Sequence, residues 1–173
     1  MADDILNRLS AFPNLPKQDP GIMENIEEAL EPCVGGWSQF EDNCYRVEPE
    51  ALSWDDAEKR CDKLEAELVK INSKEENEFV LQLARRFAGE RKQIWIGLKW
   101  ESRAFYWSDN SIPVYTNWAE DEPNGNAKEP CGSMYIAQTV LPNKASGYWN
   151  DLTCGARTDQ YASGLVCKKL ALF

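Results

Sequence analysis

The chain has 173 residues, 43% hydrophobic and 11% aromatic, and a formal net charge of −10 from 29 acidic and 19 basic residues. That apolar content excludes disorder throughout, and the acidic balance excludes a partner held mainly through phosphates, whether nucleic acid or anionic lipid. Histidine is absent, which removes every Ser–His or Cys–His arrangement and most zinc and copper sites. No apolar stretch approaches the about 18–20 residues that span a bilayer, so no membrane insertion is expected.

Residues 1–32 form an acidic extension, with seven acids against Arg8 and Lys17. Pro13, Pro16 and Pro20 divide it into two short pieces, each with an apolar stripe (Ile5, Leu9 and Phe12; Ile22, Ile26 and Leu30). The opening Met1-Ala2-Asp3-Asp4 has no basic region followed by an apolar one. Six widely spaced cysteines, at 33, 44, 61, 131, 154 and 167, read as three disulfides with 15 possible pairings. The two features together predict a secreted protein in a processed form.

Compact structure is expected from about Gly35, with a strand over Phe40–Val47. Ser53 then caps a helix whose inner face is Trp54, Ala57, Cys61 and Leu64. Ser73-Lys74-Glu75-Glu76 is a capping box opening a second helix, with an apolar stripe at Phe79, Val80, Leu83 and Phe87. Short strands follow at Ile94–Leu98, Phe105–Trp107 and Gly164–Cys167, and the stretch from about 108 to 162 reads as long polar loops. Helices first and loop-connected strands afterwards predict an α+β domain.

Within those loops lie Glu122-Pro123-Asn124, Glu129 and Trp149-Asn150-Asp151. Three carboxylates and two carboxamides are oxygen-only donors, the set a hard cation such as Ca2+ prefers. The same residue types also belong in ordinary solvated turns. Trp149 is expected in the core beneath them.

From Cys33 to Lys169 the chain resembles a C-type lectin domain of the long form. The resemblance is carried by Trp37, Phe40 and Cys44-Tyr45, by Ser53-Trp54 with Ala57 and Cys61, and by Leu64, Ala66, Leu68, Ile71, Glu76 and Phe79. It continues through Trp95-Ile96-Gly97-Leu98, Glu122-Pro123-Asn124, Cys131, Trp149-Asn150-Asp151, Cys154 and Cys167. It implies a 33–169 domain with a 170–173 tail: two helices, small antiparallel sheets and a long Ca2+-binding loop region. It implies disulfides Cys33–Cys44, Cys61–Cys167 and Cys131–Cys154, and a cis-proline at Pro123.

The resemblance also implies one Ca2+ held by Glu122, Asn124, Glu129, Asn150 and Asp151, which would bind sugar together with the ion, and a further sugar contact at Asn126. Glu-Pro-Asn goes, in this family, with the equatorial 3- and 4-hydroxyls of mannose, fucose and N-acetylglucosamine. The implied function is a secreted, non-enzymatic lectin of innate immunity. Its partners would be mannose-type glycans on cell surfaces or glycoproteins, engaged by a homo-oligomer where avidity is needed. The competing expectation is the same scaffold binding a protein or ice without sugar; a glycosidase using Glu122 and Glu129 is disfavoured, since both would be clamped on the ion. Gly125 and Pro130 stand where acids of an accessory Ca2+ site often occur, and Lys99–Arg103 is shortened there, so no second ion is expected. The Leu141–Gly147 loop is individual to this chain.

Overall fold

The computed structural model describes residues 32–89, 92–137, 146–155 and 162–172. The acidic extension up to residue 31 and positions 141–145 of the individual loop lie outside the described residues.

The chain starts with a hairpin of β1 (Ser38–Phe40) and β2 (Asn43–Glu48). The expected single strand over Phe40–Val47 is therefore broken, because Glu41 takes a positive φ of 50° and reverses the chain. Helix α1 (Trp54–Asp62) follows, then β3 (Glu67–Leu68) and α2 (Lys74–Phe87). The second half holds β4 (Gln93–Glu101), β5 (Ala104–Trp107), β6 (Cys131–Tyr135), β7 (Trp149–Leu152) and β8 (Ala162–Leu170).

Both helices begin where the sequence places them. Ser53 accepts from the Asp56 amide at 3.2 Å and Ser73 from the Glu76 amide at 3.0 Å. The reciprocal arm of the capping box is redirected, however. Glu76 Oε2 accepts from the Asn72 amide at 2.7 Å instead of from Ser73, while Oε1 takes the Tyr45 hydroxyl at 2.7 Å and the Lys168 ammonium at 2.6 Å. Phe87 ends the apolar stripe on the outside, 49% exposed.

The strands join in one sheet of order β1-β2-β8-β4-β6-β7, with β3 added on β8 and β5 on β4. Among the described strands β4 and β8 run parallel and the other pairs antiparallel. The α+β expectation holds in this form. Strands β6 and β7 lie inside the stretch read as loops, because β7 is Trp-Asn-Asp-Leu and its two polar residues hide a strand that is buried throughout. At the far end, β8 reaches Leu170, and the Ala171 amide donates to the Asp42 carbonyl at 2.9 Å. The ordered chain thus continues into the expected tail.

Period-two alternation of the strands gives the sheet two faces. One buries Ile94, Ile96, Leu98, Met134 and Trp149 against Val80, Leu81 and Ala84 of α2. The other buries Trp95, Cys131, Leu152 and Leu165 against Trp54, Ala57 and Cys61 of α1. Gly97 is required where β4 passes β3, since a Cβ there would stand 2.9 Å from the Leu68 carbonyl oxygen.

The cysteines are bonded as Cys33–Cys44, Cys61–Cys167 and Cys131–Cys154. Cys61–Cys167 ties α1 to β8 across 106 residues, a span for which loss of unfolded-chain entropy contributes about 4–5 kcal/mol. Cys131–Cys154 joins the start of β6 to the residue pair beyond β7 and so fixes the strand that carries Asn150 and Asp151.

Candidate calcium and sugar site

The site is built on β7 and on the loop from Ala119 to Pro130. Trp149 anchors both. It is fully buried, its indole donates to Asn77 Oδ1 of α2 at 2.8 Å, and Trp107, Tyr115 and Trp118 meet its ring edge-on at 5.6–5.9 Å. Its main chain pins the loop entrance: the Trp149 amide donates to the Asn117 carbonyl at 2.7 Å and the Ala119 amide to the Trp149 carbonyl at 2.9 Å. Trp149 is core, as its setting in the sequence predicts.

Beyond this anchor the loop carries Glu122 and Asn124 on either side of a cis Glu122–Pro123 peptide. It then wraps around Asp151. Asp151 Oδ1 accepts from the Asn124 amide at 3.1 Å, and Oδ2 accepts from the Gly125 and Asn126 amides, each at 2.9 Å. Asp151 is 1% exposed, so these three bonds compensate a buried carboxylate that would otherwise be costly. A carboxylate oxygen has two lone-pair sites. Oδ2 uses both on amides, whereas Oδ1 keeps one.

A one-turn 3-10 helix over Asn126–Lys128 returns the chain to Glu129. The Glu129 side chain folds back over Gly125, where a Cβ would collide with it. Gly125 is thus the residue that makes room for the Glu129 side chain against the loop. The Asn126 side chain is exposed at the loop tip. Asn150 is buried at 6% exposure on the opposite face of β7 from Asp151.

Electrostatics link the acids. The phenol of Tyr135, on β6, is pushed up to about 12, first by burial and then by the negative charges of Glu122, Asp151 and Glu129. Carboxylates from three separate points of the sequence therefore act on one buried hydroxyl. Among the described residues no Lys or Arg forms an ion pair with Asp151. Nor do three or more acidic or cysteine side chains close into an ion-holding cluster among them. The donor chemistry fits a hard cation; the acids lie around the loop without being gathered into a cage. The accessory-site segment Lys99–Arg103 is a tight β4–β5 hairpin, with Ser102 and Arg103 both at positive φ.

Sequence reading missed three contributors: the Asn124–Asn126 main-chain amides, Tyr135 and the pair Gln93 and Ser133. Main-chain donors leave no signature in residue type. Gln93 stands one residue before the apolar run Ile94–Leu98 and so fell outside the expected strand.

Comparison with known proteins places this geometry. The model of the family described as Lectin C-type domain matches residues 50–169. The chain is 33% identical over 138 residues to a perlucin-like protein of Mytilus galloprovincialis, covering 78% of this chain and 81% of that protein. It is 31% identical over 173 residues to C-type mannose receptor 2 of Mus musculus, spanning 92% of this chain but only 11% of the receptor. Among solved structures, the cow C-type carbohydrate-recognition domain of CD23, crystallised in the presence of a GlcNAc2Man3 oligosaccharide, superposes with a TM-score of 0.67 at 33% identity, covering 83% of this chain and 99% of that one. A calcium-independent type II antifreeze protein superposes with a TM-score of 0.65 at 26% identity, over 81% of this chain and 95% of that one. The chain belongs to the C-type lectin domain family and has that family's non-enzymatic fold.

Proposed function

We propose that the domain over residues 33–169 is a Ca2+-dependent lectin for mannose-type sugars, acting outside the cell on glycans of cell surfaces or glycoproteins. Glu122, Asn124, Glu129, Asn150 and Asp151 hold the ion. The observation that carries this reading is Asp151, a buried carboxylate held, among the described residues, by neutral amides, on a patch whose potential Glu122 and Glu129 make still more negative. Such a site has charge left to give to a cation. The ion supplies a Lewis-acid contact to two vicinal hydroxyl oxygens of the sugar.

The chain supplies direction. Carboxylates of Glu122 and Glu129 accept the hydroxyl protons, and the carboxamides of Asn124 and Asn150 donate to the hydroxyl oxygens. A carboxylate at 122 and a carboxamide at 124 set the order of acceptor and donor that suits equatorial 3- and 4-hydroxyls. Asn126, exposed at the loop tip, adds a contact beyond them. One pair of hydroxyls buries little surface, so useful avidity comes from several copies acting together, and recognition of foreign glycans in innate defence suits such an array. Ligation requires ionised carboxylates, so sugar binding fails on acidification to about pH 4, near the ordinary carboxylate range.

The test is calorimetric titration of mannose and galactose, first with Ca2+ and then with EDTA. Heat with mannose alone, lost in EDTA, is the expected result; equal heats for galactose overturn the sugar preference. A second reading, a protein or other ligand bound without calcium, is favoured by the absence of a closed acidic cluster among the described residues and by the likeness to a calcium-independent antifreeze protein. No Ca2+ binding at all establishes that reading over the first.

A further inference from the structure

The sheet face that packs on α1 is apolar along most of its length and turns polar at one end. Strand periodicity puts Gln93 and Trp95 of β4, Cys131 and Ser133 of β6, and Asn150 and Leu152 of β7 on that face. Ser133 pairs across from Asn150 in the β6–β7 ladder and from Trp95 in the β4–β6 ladder. Gln93, Ser133 and Asn150 are at most 6% exposed. Three buried polar side chains in one corner are costly unless each finds a partner.

They find one another. The Ser133 hydroxyl lies 2.7 Å from Gln93 Oε1 and 3.2 Å from the Asn150 carbonyl, and Asn150 Nδ2 lies 3.5 Å from the same Gln93 oxygen. A hydroxyl has one proton to give, and the shorter distance directs it to Gln93. The Gln93 oxygen then faces Asn150 and accepts from its nitrogen. With Gln93 reversed, nitrogen would stand against nitrogen unless Asn150 reversed as well. The two amides are coupled, so their orientations change together, and Ser133, which can donate or accept, stays bonded to Gln93 in either.

We propose that Gln93 is a positioning residue for the site: it holds one N–H of the Asn150 carboxamide, so that the oxygen lies on the edge away from Gln93 and the second N–H stays available to a ligand. The ligand role of Asn150 rests on the calcium reading above, whereas the Gln93–Asn150 contact does not. Residues behind a metal ligand typically change metal affinity by about 10–100-fold when removed.

The experiment uses the full chain with Gln93→Leu, which removes the acceptor, and Gln93→Glu, which can only accept. In EDTA, one Asn150 side-chain amide proton should resonate downfield and exchange slowly in the parent and in Q93E, and lose both properties in Q93L. In Ca2+ titrations Q93L should bind about 10–100-fold more weakly, with most of the loss recovered in Q93E. An Asn150 amide unchanged in Q93L, or a Q93E that behaves like Q93L, overturns the proposal. Should Q93L not fold, Gln93→Met, which also removes the acceptor at similar length, replaces it, and loss of the same amide signature is expected. A parent that binds no Ca2+ overturns the calcium reading, while the exchange measurement in EDTA still decides the Gln93–Asn150 contact.

Discussion

Two buried carboxylates, Glu76 and Asp151, are satisfied by opposite means. Glu76 receives an ammonium from Lys168, a phenol from Tyr45 and one amide from Asn72. Its charge is cancelled on the spot, and burial together with the Glu76 hydrogen bond keeps the Tyr45 hydroxyl protonated far above its ordinary range. Asp151 receives three main-chain amides and no cation among the described residues. Dipoles stabilise a charge without neutralising it. Glu76 therefore has its charge already balanced and little to offer a metal ion, whereas Asp151 keeps its charge. Burial alone does not mark a functional acid; the kind of partner does.

The sharpest way to break this contrast is to remove each acid. Asp151→Ala is expected to abolish Ca2+ and sugar heats in calorimetry, and to free the Asn124–Asn126 amides for rapid hydrogen exchange. Retained Ca2+ binding would place the ion elsewhere. Glu76→Ala leaves the partly buried Lys168 ammonium with only the Lys70 carbonyl among its described hydrogen-bond acceptors and strips Tyr45 and Asn72 of theirs, and breaking such a pair costs about 3 kcal/mol. For a chain of this size that lowers Tm by roughly 6–12 °C, with Ca2+ affinity unchanged. A fall in Ca2+ affinity comparable to that of the Asp151 variant would erase the distinction between the two acids.

A subtler change acts on the loop geometry alone. Gly125→Ala places a Cβ where the Glu129 side chain lies, and relieving such overpacking typically costs about 1–3 kcal/mol. The expected result is weaker Ca2+ binding, read by titration, with the helical circular dichroism intact. Unchanged Ca2+ binding would mean that Glu129 is no ligand.

How much of this was legible follows the same division. Helices α1 and α2 announced themselves through Ser53, Ser73 and the apolar stripes, because caps and periodicity are local. Strands β6 and β7 did not, since Ser133, Asn150 and Asp151 are polar residues placed in strands for their hydrogen bonds. Of the candidate residues read from the sequence, Asp151 is brought onto the 122–129 loop through the Asn124, Gly125 and Asn126 amides, while Asn150 faces the other side of β7. What holds Asp151 was not legible, because it is bound by backbone amides, which every residue except proline carries. The redirection of Glu76 to Asn72, Tyr45 and Lys168 was hidden for a different reason, since its partners come from strands 31 and 92 positions away.

Asp109 supplies the smallest effect and a third kind of acid, paired but wet. Burial is the largest single influence and raises its carboxyl, yet the Lys70 ammonium and the Ser111 hydroxyl and amide together outweigh it and hold the group at about 2. Its folded pKa is thus depressed below the ordinary aspartate value of about 3.9, so the stabilisation is complete above that value and is lost as pH falls towards 2. The side chains are 33% and 27% exposed, and solvent screening reduces the contribution to about 1 kcal/mol. Asp109→Asn should therefore melt a few degrees below the parent at pH 6, and the gap should close by pH 2, whether or not Ca2+ is present. A gap that persists at pH 2 would mean that Asp109 acts through packing, and a gap that depends on Ca2+ would tie this pair to the site it is here held separate from.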